Sequence, residues 1–311
     1  MKSGQKQIAA TEQRNPRARN LDLKSTREIL RVINREDAQV ARVVGREIPA
    51  IARAVDEIVS LLQEGGRLFY VGAGTSGRLG VLDASEIPPT FGAPRNLVRG
   101  IIAGGRRALT HAVEGAEDSA KQGARDLRAQ HITKHDAIVG LTASGTTPYV
   151  IGAVKFARGR GAHTVAVTIN RRTPISRIAK VTIATATGPE VIAGSTRMKA
   201  GTAQKMVLNM LSTAVMVRLG HVYDNWMINV AQSNQKLKRR ALRILEEATG
   251  ANASTAEHAT RQAGHDLRVA LVMLEAGVNA ARARKKLGAE NGNLRRTIAR
   301  ARNARRNAEE S

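Results

Sequence analysis

The chain contains no cysteine among its 311 residues, and only 2% of them are aromatic. The lack of cysteine excludes disulfide bonds and thiol catalysis, and it suits a reducing compartment. The sequence also has no run of eighteen apolar residues, so it predicts no transmembrane helix. Its first twenty residues are polar and basic, unlike a secretory signal. We therefore expect a cytoplasmic protein that does not associate with a membrane.

Acidic residues are also scarce, because 26 Asp and Glu stand against 50 Lys and Arg and give a formal charge of +24. Residues 1–32 and 281–311 together carry half of this charge. All seven aromatic residues lie outside these two ends, which therefore lack stacking platforms for single-stranded nucleic acid. The charge predicts attraction of anionic substrates and non-specific nucleic-acid binding at low salt, but no specific nucleic-acid partner.

What the sequence does contain is an alternation of strand and helix patterns. Strands are predicted at 67–71, 97–103, 136–142, 163–169 and 181–185. Helices are predicted up to Leu62, where Gly65-Gly66 follows, and over 76–86, 108–128, 148–158 and 197–219. This alternation indicates a parallel sheet covered by helices on both faces.

Beyond Val230 the sequence predicts helices, with breaks at Gly250, Gly264, Gly277 and Gly288. We predict an N-terminal arm over residues 1–20, an α/β domain with flanking helices over 21–251, and a small helical subdomain with a basic tail over 252–311.

Two loops rich in glycine and hydroxyl groups each follow a predicted strand. The first is GAGTSGR over residues 72–78, and the second is TASGTTP over residues 142–148. Glycine lets the backbone approach an anion, which hydroxyl and free N–H groups then bind. A single Ser/Thr loop would favour ordinary helix capping, but two in one sheet favour a phosphate site.

The first loop also matches the G-x-G-x-x-G pattern of dinucleotide-binding proteins. No acidic residue follows at the position that would bind a ribose, however, and the triphosphate motif G-x-x-x-x-G-K-[ST] is absent. A small phosphate or sugar phosphate therefore fits the pattern better than a nucleotide.

A third polar cluster lies at Glu190 and at residues 194–205, GSTRMKAGTAQK. Ser195 or Thr196 is predicted to cap the helix that follows. Lys199 is among the cations in its first turns, where the helix dipole disfavours positive charge. A nearby anionic ligand would offset this cost, and so would a buried ion pair with Glu190.

Two acidic groups complete the candidates. Asp83 and Glu86 are three residues apart and can share one face of a helix end. Glu117 and Asp118 suit a helix N-terminus. The spacing alone favours structural roles for these carboxylates over catalytic ones.

Taken together, these motifs resemble the N-acetylmuramic acid 6-phosphate etherases. The matching segments are TEQRN (11–15), GAGTSGRLG (72–80), LDASE (82–86), AVEGAEDS (112–119), ASG (143–145), TPYV (147–150), GSTRMKAGT (194–202) and NQKL (234–237). The resemblance implies the sugar isomerase (SIS) type of fold, a parallel-sheet three-layer α/β/α sandwich with a C-terminal helical subdomain.

The resemblance also implies a lyase that converts N-acetylmuramic acid 6-phosphate to N-acetylglucosamine 6-phosphate and D-lactate. Lactate is eliminated and water is then added, with no metal or redox cofactor. Glu86 is implied as the proton donor to the departing lactate, and Glu117 as the second acid/base group. Phosphate and sugar contacts are expected from the following residues: Gly74, Thr75, Ser76, Ser144, Gly145, Thr147, Ser195, Thr196 and Lys199.

A homodimer with sites completed across its interface is expected on the same grounds. Two alternatives stay open: a non-catalytic sugar-phosphate regulator like the glucokinase regulatory protein, and a sugar-phosphate isomerase of the SIS type. One departure bears on the site, because Thr146 stands where these etherases usually have arginine. We therefore expect weaker phosphate binding than in the family.

Overall fold

The computed structural model describes residues 9–229, 235–290 and 292–309, with side chains as far as residue 304. Residues 1–8 of the predicted arm and Asn234 of the last matching motif lie outside the described residues. Contacts divide the chain into two compact units. One contains residues up to Ser85 together with Asn96–Val215, and the other contains Glu86–Arg95 together with residues from Met216 onward.

The first unit is built on a sheet of five parallel strands. These are β1 (Leu68–Gly72), β2 (Val98–Ile102), β3 (Ala137–Leu141), β4 (His163–Thr168) and β5 (Val181–Ala184), in the order β2-β1-β3-β4-β5. Every residue of β1, β3 and β4 is buried, which explains the continuous apolar sequences of β1 and β3. All five predicted strands are confirmed. The strand order reverses between β1 and β3, the kind of position where open α/β sheets bind ligands.

Helices flank this sheet. The helices of this part of the chain are α1 (Thr26–Asp37), α2 (Val40–Gly45), α3 (Ile48–Gln63), α4 (Gly74–Phe91), α5 (Ala120–Arg128), α6 (Pro148–Gly159) and α7 (Lys199–Arg218). Helices α5 and α6 pack on each other, α6 packs on β1, β3 and β4, and α3 packs on β4 and β5. The predicted SIS-type three-layer α/β/α class is therefore confirmed.

Helix α3 ends at the predicted glycine pair. Gly65 has a φ of +85°, which glycine adopts without strain. A Cβ on Gly66 would lie 1.9 Å from the carbonyl oxygen of His135, so only glycine fits there. The pair therefore both ends the helix and lets the chain turn closely into β1.

The second unit is helical apart from a short antiparallel ribbon of β6 (Val222–Tyr223) and β7 (Trp226–Met227). Its helices are α8 (Gln235–Thr249), α9 (Ala253–Gln262), α10 (Leu267–Ala276), α11 (Ala280–Ala289) and α12 (Leu294–Glu309). The core centres on α10, which packs against the other four helices. Among the described residues, no helix is long and apolar enough to cross a membrane.

Three of the four predicted helix breaks in this unit are confirmed, at Gly250, Gly264 and Gly277. The break at Gly288 is wrong, because this residue lies inside α11. The left-handed turn after α11 is made by Gly292 instead, with a φ of +77°, and its N–H donates to the Leu287 carbonyl. The predicted boundary between residues 251 and 252, where the α/β domain would give way to the helical subdomain, stays a prediction.

Candidate active site

A cavity of about 380 Å³ lies in the first unit, at the carboxyl ends of β1 and β3, where the strand order reverses. Its lining residues come from the two glycine-rich loops, the segment before α5, the start of the chain and the segment before α7. They are Thr11, Glu12, Ala73, Gly74, Thr75, Ser76, Glu117, Asp118, Leu141, Thr142, Ala143, Ser144, Thr146, Thr147, Pro148, Gly194 and Thr196.

The first loop presents the start of α4 to this cavity. Strand β1 ends at Gly72 and α4 begins at Gly74, so free N–H groups of the first helical turn stand at the strand end. A Cβ on Gly72 would lie 2.6 Å from the backbone nitrogen of Gly77, which explains the glycine in this tight turn. The Ser76 hydroxyl donates to Oε1 of the buried Gln204 at 2.8 Å.

The second loop presents the start of α6 and a chain of hydroxyl groups. Thr142 and Thr147 share a hydrogen bond of 2.8 Å between their hydroxyls, and the Thr146 hydroxyl donates to Ser144 Oγ at 2.8 Å. Thr147 occupies the N-cap position of α6 without bonding the helix through its side chain. Its hydroxyl therefore belongs to the loop network at the cavity and is not an ordinary helix cap.

Gly145 lets this second loop pack closely against Thr173. Its φ is +76°, and a Cβ there would lie 2.5 Å from the side chain of Thr173. Gly145 is buried and is not among the residues that line the cavity, so its contribution within the described structure is to the loop's conformation.

Glu117 lies at the cavity on an exposed segment, not on a helix. The predicted helix over 108–128 is wrong for residues 110–119, because Gly115 takes a φ of +68° and α5 begins only at Ala120. Ser119 caps α5 by accepting the Gln122 N–H at 3.1 Å. The Glu117 carbonyl accepts the Tyr149 N–H at 2.9 Å, which ties this segment to the start of α6.

Glu86 is exposed on α4 and belongs to the second unit, whereas the described residues that line the cavity belong to the first. Glu86 is not among the described residues that line the cavity. Asp83, which was predicted to share its face, is buried instead and accepts a hydrogen bond from Ser212 at 3.1 Å. Burial raises the pKa of Asp83 to about 6, although the hydrogen bond from Ser212 opposes the shift.

The third cluster is organised by buried acids of the protein itself. Glu190, not Ser195 or Thr196, caps α7, since its two carboxylate oxygens accept the Lys199 and Ala200 N–H groups at 3.0 and 2.9 Å. The Lys199 ammonium lies 2.6 Å from Glu36 Oε2, and both side chains are buried. The partner expected for a buried lysine was Glu190, so that prediction is corrected to Glu36.

This ion pair removes Lys199 from the cavity. Burial would raise the pKa of Glu36, but hydrogen bonds from Lys199, Asn15 and Arg17 outweigh it and lower the pKa to about 2. The structure thus brings six predicted contact residues to the cavity: Gly74, Thr75, Ser76, Ser144, Thr147 and Thr196. Ser195 and Lys199 are not among the lining residues that the structure describes.

Two lining residues, Thr11 and Glu12, come from the segment predicted as an arm. The Thr11 carbonyl accepts the Gly194 N–H at 2.9 Å. Asn15 donates from Nδ2 to Glu36 at 2.8 Å and to the Pro189 carbonyl at 3.1 Å. The segment lacks periodicity, so pattern reasoning missed it; the TEQRN match was the only signal that could have found it.

The cavity has an unusual balance of charge for a protein this basic. Its described lining includes three acidic residues, Glu12, Glu117 and Asp118, and neither Lys nor Arg. Anion binding there would depend on hydroxyl and N–H groups at two helix starts. Among the described residues, no group of three His, Asp or Glu could hold a metal ion.

Comparisons with known families and structures agree with this fold. The family model for the glucokinase regulatory protein N-terminal SIS domain matches residues 50–158, and the SIS domain model matches residues 110–214. A phosphoheptose isomerase from Francisella tularensis superposes with a TM-score of 0.51 at 18% identity, over 62% of this chain and 100% of that one. A Bacteroides fragilis protein described as a phosphosugar isomerase gives a TM-score of 0.52 at 18% identity, over 67% and 98%.

Relatives in sequence are much closer. N-acetylmuramic acid 6-phosphate etherase from Pectobacterium atrosepticum is 52% identical over 288 residues, covering 93% of this chain and 95% of the relative. The etherases from Actinobacillus pleuropneumoniae and from an Enterobacter species are 49% and 50% identical, over 95% and 97% of their own lengths. Since the similarity spans nearly the whole of both chains, this chain belongs to the N-acetylmuramic acid 6-phosphate etherase family.

Proposed function

We propose that this chain cleaves the D-lactyl ether of N-acetylmuramic acid 6-phosphate to give N-acetylglucosamine 6-phosphate and D-lactate, as part of amino sugar recycling. The observation that carries this proposal is the cavity at the carboxyl ends of β1 and β3, where the strand order reverses. The hydroxyl-rich starts of α4 and α6 and the carboxylate of Glu117 all line this cavity. The relatives at about 50% identity are named for this reaction.

The phosphate end of the substrate is assigned to the two loops. Free N–H groups at the start of α4 suit a phosphate dianion, and the dipoles of α4 and α6 favour negative charge there. At the start of α6, Pro148 has no N–H and the Tyr149 N–H donates to the Glu117 carbonyl, so we assign the contribution of this loop to its hydroxyl groups. Thr75, Ser144 and Thr147 line this part of the cavity and can donate from their hydroxyls. Ser76 already donates to Gln204, so we assign it first to holding the loop.

The reaction places acid/base demands at two atoms. The sugar ring opens to an aldehyde, which makes the C2 proton acidic. One group removes that proton, the C3–O bond breaks, and a second group donates a proton to the lactate oxygen. Water then adds at C3 of the unsaturated aldehyde. We assign these two roles to Glu117 and Glu86, with Glu86 as the donor to lactate and Glu117 as the second group.

The position of Glu86 motivates one extension, a homodimer in which a second copy completes the site. The test is subunit mixing of Glu86→Ala and Glu117→Ala chains, each inactive by itself. If the two carboxylates of one site come from different copies, a random mixture regains about a quarter of the wild-type activity. A mixture that stays inactive although the two chains do associate would remove this extension. A cytoplasmic location stays a prediction.

The proposed reaction is tested by incubating the purified chain with N-acetylmuramic acid 6-phosphate and measuring lactate. We expect lactate from the wild type and from Glu114→Ala, whose exposed glutamate is not a lining residue, and none above background from Glu86→Ala. Sugar-phosphate binding without lactate would support a regulator instead. Formation of a ketose would identify an isomerase.

A further inference from the structure

We propose that Glu12 is a substrate-binding residue that accepts hydrogen bonds from the hydroxyl or acetamido N–H groups of the sugar, and that the contacts of Asn15 and Glu36 position it. This inference rests on the proposed function, because it assigns the side of the cavity that the two phosphate-binding loops leave open.

The first support is the position of Glu12 in the cavity. It is exposed and lines the cavity together with Thr11 and Gly194. Its Oε2 lies 3.4 Å from where a Cβ on Gly194 would stand, so the carboxylate lies against the cavity wall. Within the described residues, no Lys or Arg forms an ion pair with Glu12, in a chain that carries 50 such cations. Its carboxylate is therefore available to a ligand.

The second support is an unsatisfied group beside it. Thr11 is 1% exposed and lines the same cavity, yet its hydroxyl has no hydrogen-bond partner in the structure. Buried hydroxyl groups nearly always have a partner, and leaving one without a partner is unfavourable. The hydroxyl oxygen is itself buried, so a bound ligand would reach it only if the Thr11 side chain turned towards the cavity. The exposed carboxylate of Glu12 is therefore the group that a ligand meets directly on this side of the cavity.

The chemistry of the two groups favours the sugar over the phosphate. A carboxylate repels a phosphate dianion but accepts strong, charge-assisted hydrogen bonds from hydroxyl and amide N–H groups. The sugar presents several such donors, while its phosphate suits the N–H and hydroxyl groups of the two loops. Glu12 would therefore select for the sugar body and add nothing to phosphate affinity.

The third support is the rigid attachment of this segment. The Thr11 carbonyl is held by the Gly194 N–H, and Asn15 bridges Glu36 and the Pro189 carbonyl at 2.8 and 3.1 Å. Glu36 is itself fixed by the buried Lys199 ammonium at 2.6 Å. This network holds residues 11–15 against the segment before α7, so Asn15 and Glu36 act as positioning residues for Glu12.

Steady-state kinetics of the full-length chain test the inference, with Glu12→Gln, Glu12→Ala and the exposed-surface control Glu257→Gln. We expect KM for N-acetylmuramic acid 6-phosphate to rise about tenfold in Glu12→Gln and more in Glu12→Ala, with kcat within about threefold. The affinity for inorganic phosphate should be unchanged or tighter. An unchanged KM in both Glu12 variants, or an equal loss of phosphate affinity, would overturn the proposal.

A double-mutant cycle separates positioning from general damage to the fold. Asn15→Ala should raise KM in the wild-type background and add little in the Glu12→Ala background, because it acts through Glu12. Full additivity would remove Asn15 from this role. If the wild-type chain releases no lactate, the proposed function fails separately. The Glu12 assignment is then decided by N-acetylglucosamine 6-phosphate, which should bind the wild type more tightly than Glu12→Ala and which overturns the assignment if it binds both equally.

Discussion

Two groups of carboxylates in the same α/β unit behave in opposite ways. Glu36 and Glu190 are buried and fully engaged, one by Lys199, Asn15 and Arg17, the other by two N–H groups at the start of α7. Glu12 and Glu117 are exposed at the cavity, and within the described residues neither side chain has an ion-pair partner. The buried pair is held by contacts within the fold, and the exposed pair is the one that we propose for substrate.

The difference between buried and exposed carboxylates shows how to interpret residues that do not suit their position in a helix. Lys199 at the start of α7 first suggested a bound anion, yet the buried carboxylate of Glu36 is its partner. The hydroxyl-rich loops first allowed ordinary capping, yet Thr147 does not cap its helix. Buried charge requires a partner within the fold, while charge that binds substrate must stay accessible.

The largest effect that distinguishes the two groups should come from Glu117→Gln. We expect kcat for lactate release to fall about a thousandfold, as for loss of a general acid/base group, with unchanged thermal stability because the side chain is exposed. Glu114→Gln, in the same segment, is the matched control. Activity of Glu117→Gln within tenfold of the wild type would remove Glu117 from the chemistry.

Lys199→Met, in contrast, should lower the stability of the fold, because it leaves the buried Glu36 without its main counter-charge. Breaking a buried pair from one side is unfavourable by about 3–5 kcal/mol, so the free energy of unfolding should fall by that amount in urea titrations. Lys205→Met, on the same helix, should change it by less than about 1 kcal/mol. A loss below about 1 kcal/mol for Lys199→Met would contradict the structural role.

The pH dependence of stability sharpens the comparison, because Glu36 and Asp83 shift in opposite directions. The pKa of Glu36 is lowered from 4.5 to about 2, so its stabilising contribution is complete above 4.5 and is lost as the pH falls towards 2. The pKa of Asp83 is raised from 3.8 to about 6, so its contribution is complete below 3.8 and is lost as the pH rises through about 6.

Asp83→Asn should therefore unfold with a higher free energy than the wild type at pH 8, by about 1–3 kcal/mol. The difference should shrink towards pH 4, where the wild-type carboxyl is protonated. Urea unfolding at both values measures it. A variant less stable than the wild type at pH 8 would show that the ionised carboxylate is favourable in its buried position.

The smallest effect concerns a cation that the cavity lacks. Thr146 is exposed, lines the cavity and stands where the sequence resemblance places arginine. Thr146→Arg should lower KM for the phosphorylated substrate by about tenfold at low salt, and less at high salt, since the added contact is charge-assisted. Thr146→Gln is the uncharged control. An unchanged KM at low salt would show that hydroxyl and N–H groups already saturate phosphate binding.

Much of this architecture follows from local sequence. Strand patterns that alternate with helical ones identified all five strands, and glycine with a positive φ marked the ends of α3 and of three C-terminal helices. The two loops were found because glycine and hydroxyl groups at strand ends have a local pattern. Glu117 entered through family resemblance, since spacing alone favoured a structural role.

The contacts that the sequence did not predict join residues that are distant along the chain. Glu36 meets Lys199 across 163 positions, and no local pattern records that pairing. Thr11 and Glu12 reach the cavity because Asn15 and Gly194 hold an aperiodic segment in place. The helix predicted over 108–128 failed for a local reason instead, since Gly115 adopts a left-handed conformation and α5 begins only at Ala120.

Elimination of lactate with Glu117 and Glu86 as the acid/base groups makes a direct prediction about the atoms of the products. The decisive measurement is the reaction in D2O enriched in oxygen-18, with mass spectrometry and NMR of both products. Elimination followed by addition of water predicts deuterium at C2 and oxygen-18 at C3 of N-acetylglucosamine 6-phosphate, and no oxygen-18 in D-lactate. A product without deuterium at C2 would indicate direct displacement at C3, and oxygen-18 in the lactate would indicate attack at the lactyl carbon; either result would overturn the elimination.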